Sequence, residues 1–129
     1  MIARKPLRPV YPSKEVSIRV VNDEEYGGAH EYVFTECLGF NPETKETEYS
    51  YKDEQTISFV RKNEDGSMIP GLQSEQLLIA LIDRHKKLNN KFPSREGALA
   101  ITKMEEALYW LQARVQERMD RGVMGELKQ

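Results

Sequence analysis

Apolar side chains recur at alternating intervals of three and four residues along the last third of the chain. They are Ile101, Met104, Leu108, Leu111 and Val115. This spacing predicts one long helix with an apolar stripe that a second helix covers. Ser94 is the expected N-cap, because its hydroxyl can accept a hydrogen bond from a backbone N–H of the first turn. Gly122 and Gly125 are expected to end the helix.

A second amphipathic segment precedes this helix. Its apolar stripe consists of Leu77, Leu78, Leu81, Ile82 and Leu88. We expect the segment to start at an N-cap formed by Ser74 and to end near Asn89, since Pro93 interrupts further helix. The two stripes can cover each other, so residues 74–122 are predicted to form an antiparallel helical hairpin.

The first half of the chain has the alternating pattern of β-strands. Val16, Ile18 and Val20 share one face of a predicted strand, and apolar residues alternate again over residues 32–38. A further strand is predicted over residues 56–60. A small N-terminal antiparallel β-sheet followed by the helical hairpin gives an α+β class.

The remaining segments are predicted to connect or flank the strands of residues 16–61. Residues 41–48 are polar and are expected to form a loop. Residues 1–15 contain prolines at three-residue spacing, which favours an extended arm. With 129 residues, 39% of them hydrophobic, the chain is expected to close one modest core, so residues 1–129 are predicted to be a single domain.

Charge and apolar content exclude several classes of partner. The chain has 19 basic and 21 acidic residues, a formal charge of −2, so it lacks the positive field that holds duplex DNA. No apolar run approaches the roughly 18 residues that span a bilayer, and the N-terminus lacks the apolar core of a signal peptide. We therefore expect no DNA partner, no membrane partner and a cytoplasmic location.

Candidates for catalysis are few. Cys37, His30 and His85 are the thiol and imidazole groups of the chain, but Cys37 lies in a strand pattern and no nucleophile signature accompanies it. A structural, buried role for Cys37 is the favoured interpretation. Since no residues have a recognisable metal-ligand spacing, we expect no metal, no cofactor and no enzymatic activity. The glycines of residues 26–30 are compatible with a phosphate-binding nest, but an ordinary strand connection is favoured.

Arginines near the C-terminus are the stronger signal. Arg114, Arg118 and Arg121 fall at i, i+4 and i+7 and are expected to form one basic ridge. Two interpretations stay open: local ion pairs, such as Glu117 with Arg121, or a clamp for phosphate oxygens. Arg95, in the first turn of the same predicted helix, could form a second anion site together with the helix dipole and the free backbone N–H groups of that turn.

The neighbouring aromatic residues Tyr109 and Trp110 also allow two interpretations. Packing in the core is favoured, because Trp110 adjoins the apolar stripe. A surface on which a base stacks is the alternative.

Several sequence blocks resemble the hairpin domain shared by the phage Thoeris anti-defence and anti-CBASS sponges. The blocks are the run from Arg95 to Arg114, Arg121–Gly125, Ile57–Phe59, Gly66–Ser67, Pro70–Gly71 and Asp83–Arg84. Together they cover roughly residues 57–125, and the upstream blocks are similar to the Thoeris branch in particular. Members of this family bind and sequester cyclic nucleotide immune messengers without cleaving them, notably glycocyclic ADP-ribose isomers and, in some cases, cyclic di- or trinucleotides.

The resemblance implies ligand-binding roles for individual residues. Arg114 matches an arginine that contacts the ADP-ribose ligand, and Lys62 takes the approximate place of a second ligand-binding arginine. Leu88 and Gly97 lie near positions where the family has a phenylalanine and an asparagine. Arg95 matches an arginine of the separate site for cyclic oligonucleotides. Lysine keeps the charge but loses the planar fork, and leucine cannot stack as an aromatic ring does.

The resemblance also implies an assembly and a setting. We expect a homodimer, or a hexamer built from dimers, that captures a cyclic nucleotide between protomers in the cytoplasm of an infected bacterial host. The alternative is an oligomeric structural or interaction module with no small-molecule ligand. A cyclic nucleotide hydrolase is a third hypothesis, which the lack of a convincing nucleophile, metal cluster or general base disfavours.

Overall fold

The computed structural model describes residues 4–21 and 30–122. The chain divides into two compact units, Met1–Gly71 and Leu72–Gln129. The possible nest at residues 26–29 and the expected helix stop at Gly125 lie outside the described residues. That the whole chain is one domain stays a prediction.

The first unit contains a four-stranded antiparallel sheet with the strand order β1-β2-β3-β4. Its strands are β1 (Arg4–Pro6), β2 (Ile18–Val21), β3 (Glu31–Asn41) and β4 (Glu46–Ser58). Val20, Val21, Val33 and Tyr49 are its buried hydrophobic residues. The predicted arm contributes the edge strand β1, where Pro6 is tolerated because an edge strand need not donate every backbone N–H.

The β3–β4 hairpin is longer than the sequence indicates. The expected loop over residues 41–48 is wrong, because Asn41 pairs with Glu46 and only residues 42–45 form the turn. Asn41 Oδ1 accepts from the backbone nitrogens of Glu43 and Thr44 at 2.8 and 3.3 Å, which stabilises this turn. Cys37 lies in β3 as expected, but it is exposed, so its expected burial is also wrong.

A short second hairpin completes the first unit. Strands β5 (Arg61–Lys62) and β6 (Met68–Ile69) pair on either side of a turn in which Gly66 has a φ of 90°. Gly71 then passes close to the backbone after β4: a Cβ on Gly71 would lie 2.5 Å from the carbonyl carbon of Phe59 and 2.5 Å from the nitrogen of Val60. Glycine is therefore required at this position.

The second unit is the predicted helical hairpin, formed by α1 (Ser74–Lys91) and α2 (Arg95–Asp120). The five stripe residues of α2 are all half-buried, and Ile82 of α1 is 8% exposed. Lys86 Nζ and Glu105 Oε1 form an ion pair of 2.8 Å across the hairpin. Neither described helix is long and apolar enough to cross a membrane.

The α1 stripe differs from the prediction. Leu81 and Leu88 are 43% and 40% exposed, although the sequence grouped them with Ile82. Positions 77, 81 and 88 follow intervals of four and seven and occupy a different side of α1 from Ile82. The described hairpin thus has an apolar stripe on α1 in addition to the one that packs against α2.

The helix ends correct one capping assignment and confirm two others. The N-cap of α1 is Gln73, whose backbone nitrogen donates to Gln76 Oε1 at 2.9 Å, and Ser74 is the first helical residue. Ser94 caps α2 as predicted, with its hydroxyl accepting from the Gly97 nitrogen at 2.9 Å. Gly122 follows α2 with a φ of 71°, the left-handed conformation that glycine favours after a helix.

Candidate functional site

The seven residues singled out from the sequence lie in three places. Lys62 is in β5 of the first unit. In the helical unit, the turn cluster comprises Leu88, Arg95 and Gly97, and the C-terminal cluster comprises Arg114, Arg118 and Arg121. At about 1.5 Å per residue, Arg95 and Arg114 are separated by about 28 Å along α2. One chain therefore cannot use both arginines on the same small ligand.

The turn cluster is organised by hydrogen bonds around Ser94. Asn89 Oδ1 accepts from the Ser94 nitrogen at 3.0 Å, while the Ser94 hydroxyl accepts from Gly97. A Cβ on Gly97 would lie 2.6 Å from Asn89 Oδ1 and 2.9 Å from Ser94 Oγ. Gly97 thus leaves room for the two side chains that join α1 to α2.

Asn89 is a structural residue of the turn cluster that the sequence reasoning missed. Its amide oxygen holds the backbone at the start of α2, and so it positions Arg95 one residue further on. The available signal was an asparagine near the end of α1, followed within a few residues by Pro93 and a serine cap.

Arg95 is exposed at the N-terminal end of the 26-residue helix α2. Its side chain makes no ion pair or hydrogen bond with any residue that the structure describes. A free guanidinium at the positive end of a helix is an arrangement that attracts anions.

The C-terminal cluster is not one exposed ridge. Arg118 is 9% exposed, and Arg121 Nε pairs with Glu117 Oε1. The local-pair interpretation is therefore confirmed for Arg121. Arg114 is exposed and, within residues 4–21 and 30–122, has no ion-pair or hydrogen-bond partner. Of the three arginines, Arg114 is the one whose guanidinium is open to an anion.

Tyr109 and Trp110 lie on the surface of the described hairpin rather than in its core. Their side chains are 62% and 63% exposed, and their rings meet edge to face with centroids 5.2 Å apart. The favoured packing interpretation is thus wrong within one chain. Leu99 is 47% exposed and lies eleven residues before Trp110, which places both on one side of α2.

The described part of each unit contains a concave surface. A groove of about 510 Å³ between α1 and α2 is crossed by the ion pair of Lys86 with Glu105. A smaller cleft of about 170 Å³ lies in the first unit, with His30, Glu31, Phe59 and Arg61 among its walls. Among the described residues, no group of three or more His, Cys, Asp or Glu is placed to hold a metal ion.

Comparison with known proteins connects this geometry to a family. Residues 52–116 match the family model described as the Acb2/Tad1 hairpin domain. The chain belongs to the Acb2/Tad1 hairpin-domain family. The match includes β5, the turn cluster and Arg114 but ends before Arg118, and it confirms the resemblance found in the sequence.

A curated relative also matches part of the chain. The chain is similar to Thoeris anti-defense 1 of Bacillus phage SBSphiJ7, with 48% identity over 56 residues. These residues are 43% of this chain and 39% of the relative, so the chain aligns with less than half of that protein's length.

Proposed function

We propose that this chain is a phage anti-defence protein that binds and sequesters a cyclic nucleotide immune signal without cleaving it. The ligands are glycocyclic ADP-ribose isomers, cyclic di- or trinucleotides, or both, captured in the cytoplasm of the infected bacterium. The family match and the similarity to Thoeris anti-defense 1 support this function. The structural observation on which the proposal rests is Arg114, an exposed arginine inside the matched region whose side chain has no described partner.

Arg114 suits a phosphate better than its neighbours do. A guanidinium presents a planar fork of donors that binds phosphate oxygens bidentately. No described acidic side chain competes for it, whereas Arg121 is already paired with Glu117. Arg95 offers a comparable free cation at the start of the same helix and is the proposed residue of a second site.

Tight sequestration requires more than one such contact. Depleting a messenger that acts near micromolar concentration takes a nanomolar Kd, or about −12 kcal/mol. A single charge-assisted hydrogen bond contributes about 1.5–3 kcal/mol. We therefore propose that a homodimer, or a hexamer built from dimers, brings several residues to each ligand. The exposed Leu81 and Leu88 of α1, and Leu99 and Trp110 of α2, provide apolar surface for such contacts.

The same exposed apolar side chains favour the second candidate function, an oligomeric interaction module without a small ligand. It predicts that no cyclic nucleotide stabilises the protein. A hydrolase is the third candidate, and it predicts that the ligand recovered after denaturing the complex is cleaved rather than intact.

Thermal unfolding with a panel of glycocyclic ADP-ribose isomers, cyclic dinucleotides and cyclic trinucleotides tests these candidates. Ligand at a thousandfold excess over Kd stabilises the native state by about 4 kcal/mol. We expect one class to raise the melting temperature, and Arg114→Ala or Arg95→Ala to abolish that rise. Lys103→Ala is the matched control, because Lys103 is an exposed cation on α2 with only a 3.8 Å ion pair to Glu106. If no member of the panel raises the melting temperature, the sponge proposal is refuted for these ligands and the interaction module is favoured.

A further inference from the structure

The 170 Å³ cleft of the first unit is built by the end of the main sheet and the β5–β6 hairpin. Val21, Glu31 and Ser58 are paired across β2, β3 and β4, so their side chains form a row on one face of the sheet. Arg61 pairs with Ile69 in the second hairpin, and both also line the cleft. The cleft therefore follows from the strand register and is a consequence of the fold.

Two further contacts fix the wall that contains Phe59. The Phe59 backbone nitrogen donates to the His30 carbonyl at 2.6 Å, which joins the chain after β4 to the start of β3. The Phe59 ring meets Tyr32 edge to face, with centroids 5.8 Å apart. Gly71 lies against the same backbone so closely that no Cβ fits. The Phe59 backbone is thus held in place on one wall, while its ring packs with Tyr32 on the face of the sheet opposite Glu31.

The charges in the cleft are not neutralised by each other. Glu31 and Arg61 both line it and are half-buried, yet neither forms an ion pair or a side-chain hydrogen bond with a residue that the structure describes. Half-burial removes part of the hydration of these two groups, and no ion pair or side-chain hydrogen bond with a described residue replaces it. A ligand that places an anionic group at Arg61 and hydrogen-bond donors at Glu31 would satisfy both.

This pairing of charges selects the ligand chemistry. A simple anion gains from Arg61 but is repelled by Glu31. A sugar phosphate meets both requirements, since its phosphate accepts from the guanidinium and its hydroxyls donate to the carboxylate. The volume is below the 300–1,000 Å³ of sites that enclose a whole drug-sized ligand, so the cleft fits only part of a nucleotide.

We propose that this cleft binds the ribose phosphate portion of a nucleotide, with Arg61 on the phosphate and Glu31 on the ribose hydroxyls. The half-buried residues of opposite charge favour a bipolar ligand by themselves, whereas the choice of a nucleotide rests on the proposed function. The proposal adds Arg61 and Glu31 to the candidate binding residues.

The test is a chemical-shift titration of the full-length, ¹⁵N-labelled protein with ribose 5-phosphate, adenosine monophosphate, inorganic phosphate and glycine. We expect the first two to shift the amides of His30, Glu31, Phe59 and Arg61, and to bind at least tenfold more tightly than phosphate. Equal binding of inorganic phosphate, or shifts outside the cleft, would overturn the proposal. Glycine binding there in place of the sugar phosphates would also overturn it, in favour of an amino-acid site.

Two substitutions test the proposed roles of Arg61 and Glu31 separately. Arg61→Gln should weaken ribose 5-phosphate binding at least tenfold, while Arg8→Gln, at an exposed arginine of the arm, should leave it unchanged. Glu31→Gln should reduce the preference for ribose 5-phosphate over inorganic phosphate, because it replaces a charged two-oxygen acceptor by one amide oxygen and removes the repulsion of a phosphate. The wild-type shift map decides the location even if a variant folds poorly.

Cyclic nucleotide binding, measured in the same variants, separates this inference from the proposed function. If Arg114→Ala abolishes messenger binding while the cleft shows no shift with any sugar phosphate, the cleft proposal fails and the sponge stands. If sugar phosphates shift the cleft but no cyclic nucleotide binds, the sponge fails and the cleft proposal stands.

Discussion

Arg114 and Arg118 are one helical turn apart, yet the structure predicts opposite consequences for removing them. Arg114 is exposed and has no described partner, so Arg114→Ala removes no described intramolecular contact. Exposed substitutions of this kind change stability by less than about 0.5 kcal/mol, and alanine is a favourable helix residue. We expect Arg114→Ala to leave the free energy of unfolding unchanged within that limit.

Arg118→Ala should be costly. Its side chain is 9% exposed and interacts with at least one other group, so the substitution removes both that interaction and the packing of the long aliphatic stem. Substitutions that remove buried contacts of this kind destabilise proteins by about 0.5–3 kcal/mol. For a chain of this size, about 2 kcal/mol corresponds to a fall of roughly 8 °C in melting temperature.

The assay is urea denaturation followed by far-ultraviolet circular dichroism, at one fixed protein concentration so that any association is equal in all samples. The two variants should differ in midpoint while keeping a similar slope. The reasoning is refuted if Arg114→Ala is destabilised as much as Arg118→Ala, or if Arg118→Ala unfolds like the wild type. Confirmation would make Arg114→Ala a clean binding variant, whereas lost binding in Arg118→Ala would report on folding.

Two smaller predictions concern other hydrogen bonds of the described chain. Ser94→Ala should lower the free energy of unfolding in urea by about 1 kcal/mol, because it removes the α2 cap. Thr102→Ala should be neutral or slightly stabilising, since the Thr102 hydroxyl only donates back to the Ala98 carbonyl. Similar urea midpoints for the two variants would contradict this prediction. The Tyr51 hydroxyl donates to Glu15 Oε1 at 2.5 Å, and this hydrogen bond, aided by the Glu15 charge, raises the pKa of Tyr51 above its usual 10.0. The hydrogen bond therefore stabilises the fold below pH 10.0, and this stabilisation is lost as the pH rises through the higher folded-state pKa of Tyr51. Ultraviolet titration should show a lower titration midpoint for Tyr51 in Glu15→Gln, and an unchanged midpoint would disprove the link.

The helical hairpin could be predicted from the sequence because its signals are long and mutually consistent. The α2 stripe repeats over fifteen residues, from Ile101 to Val115, and Ser94 and Gly122 mark the ends with well-understood chemistry. The error at the start of α1 has a simple cause. Gln73 and Ser74 both offer a side-chain acceptor, and the position of the cap depends on which backbone nitrogen Gln76 reaches.

The long β4 strand could not be predicted from periodicity. Residues 46–55 are mostly polar, and only Tyr49 is buried, so no apolar alternation marks this part of the strand. Backbone pairing with β3 supplies its order, with register shifts near Cys37. Cross-strand hydrogen bonds of this kind leave little trace in one sequence.

The candidate site shows the same division between local and long-range information. The pair of Glu117 with Arg121 follows from their spacing on one helix. The exposure of Trp110 and the burial of Arg118 do not follow from sequence spacing, because side-chain accessibility depends on which residues pack nearby in the folded chain. The pairing of Glu31 with Ser58 across the sheet likewise exists only in the folded register, and so the cleft beside Arg61 is invisible in the sequence.

The proposed ligand capture would need more than one copy of the chain, because the exposed arginines of α2 are far apart. Arg95 and Arg114 are exposed and without described partners, but about 28 Å of helix lies between them. Each alone provides too little binding energy for sequestration. A site with several phosphate contacts can form only where another surface approaches each arginine, and the exposed Trp110, one turn before Arg114, is apolar surface beside that residue. If copies of the chain complete the site, ligand affinity must fall when the protein is diluted below the dissociation constant of its own oligomer, and Trp110→Ser must weaken both association and binding. Binding that is independent of protein concentration in analytical ultracentrifugation and calorimetry would show that one chain suffices.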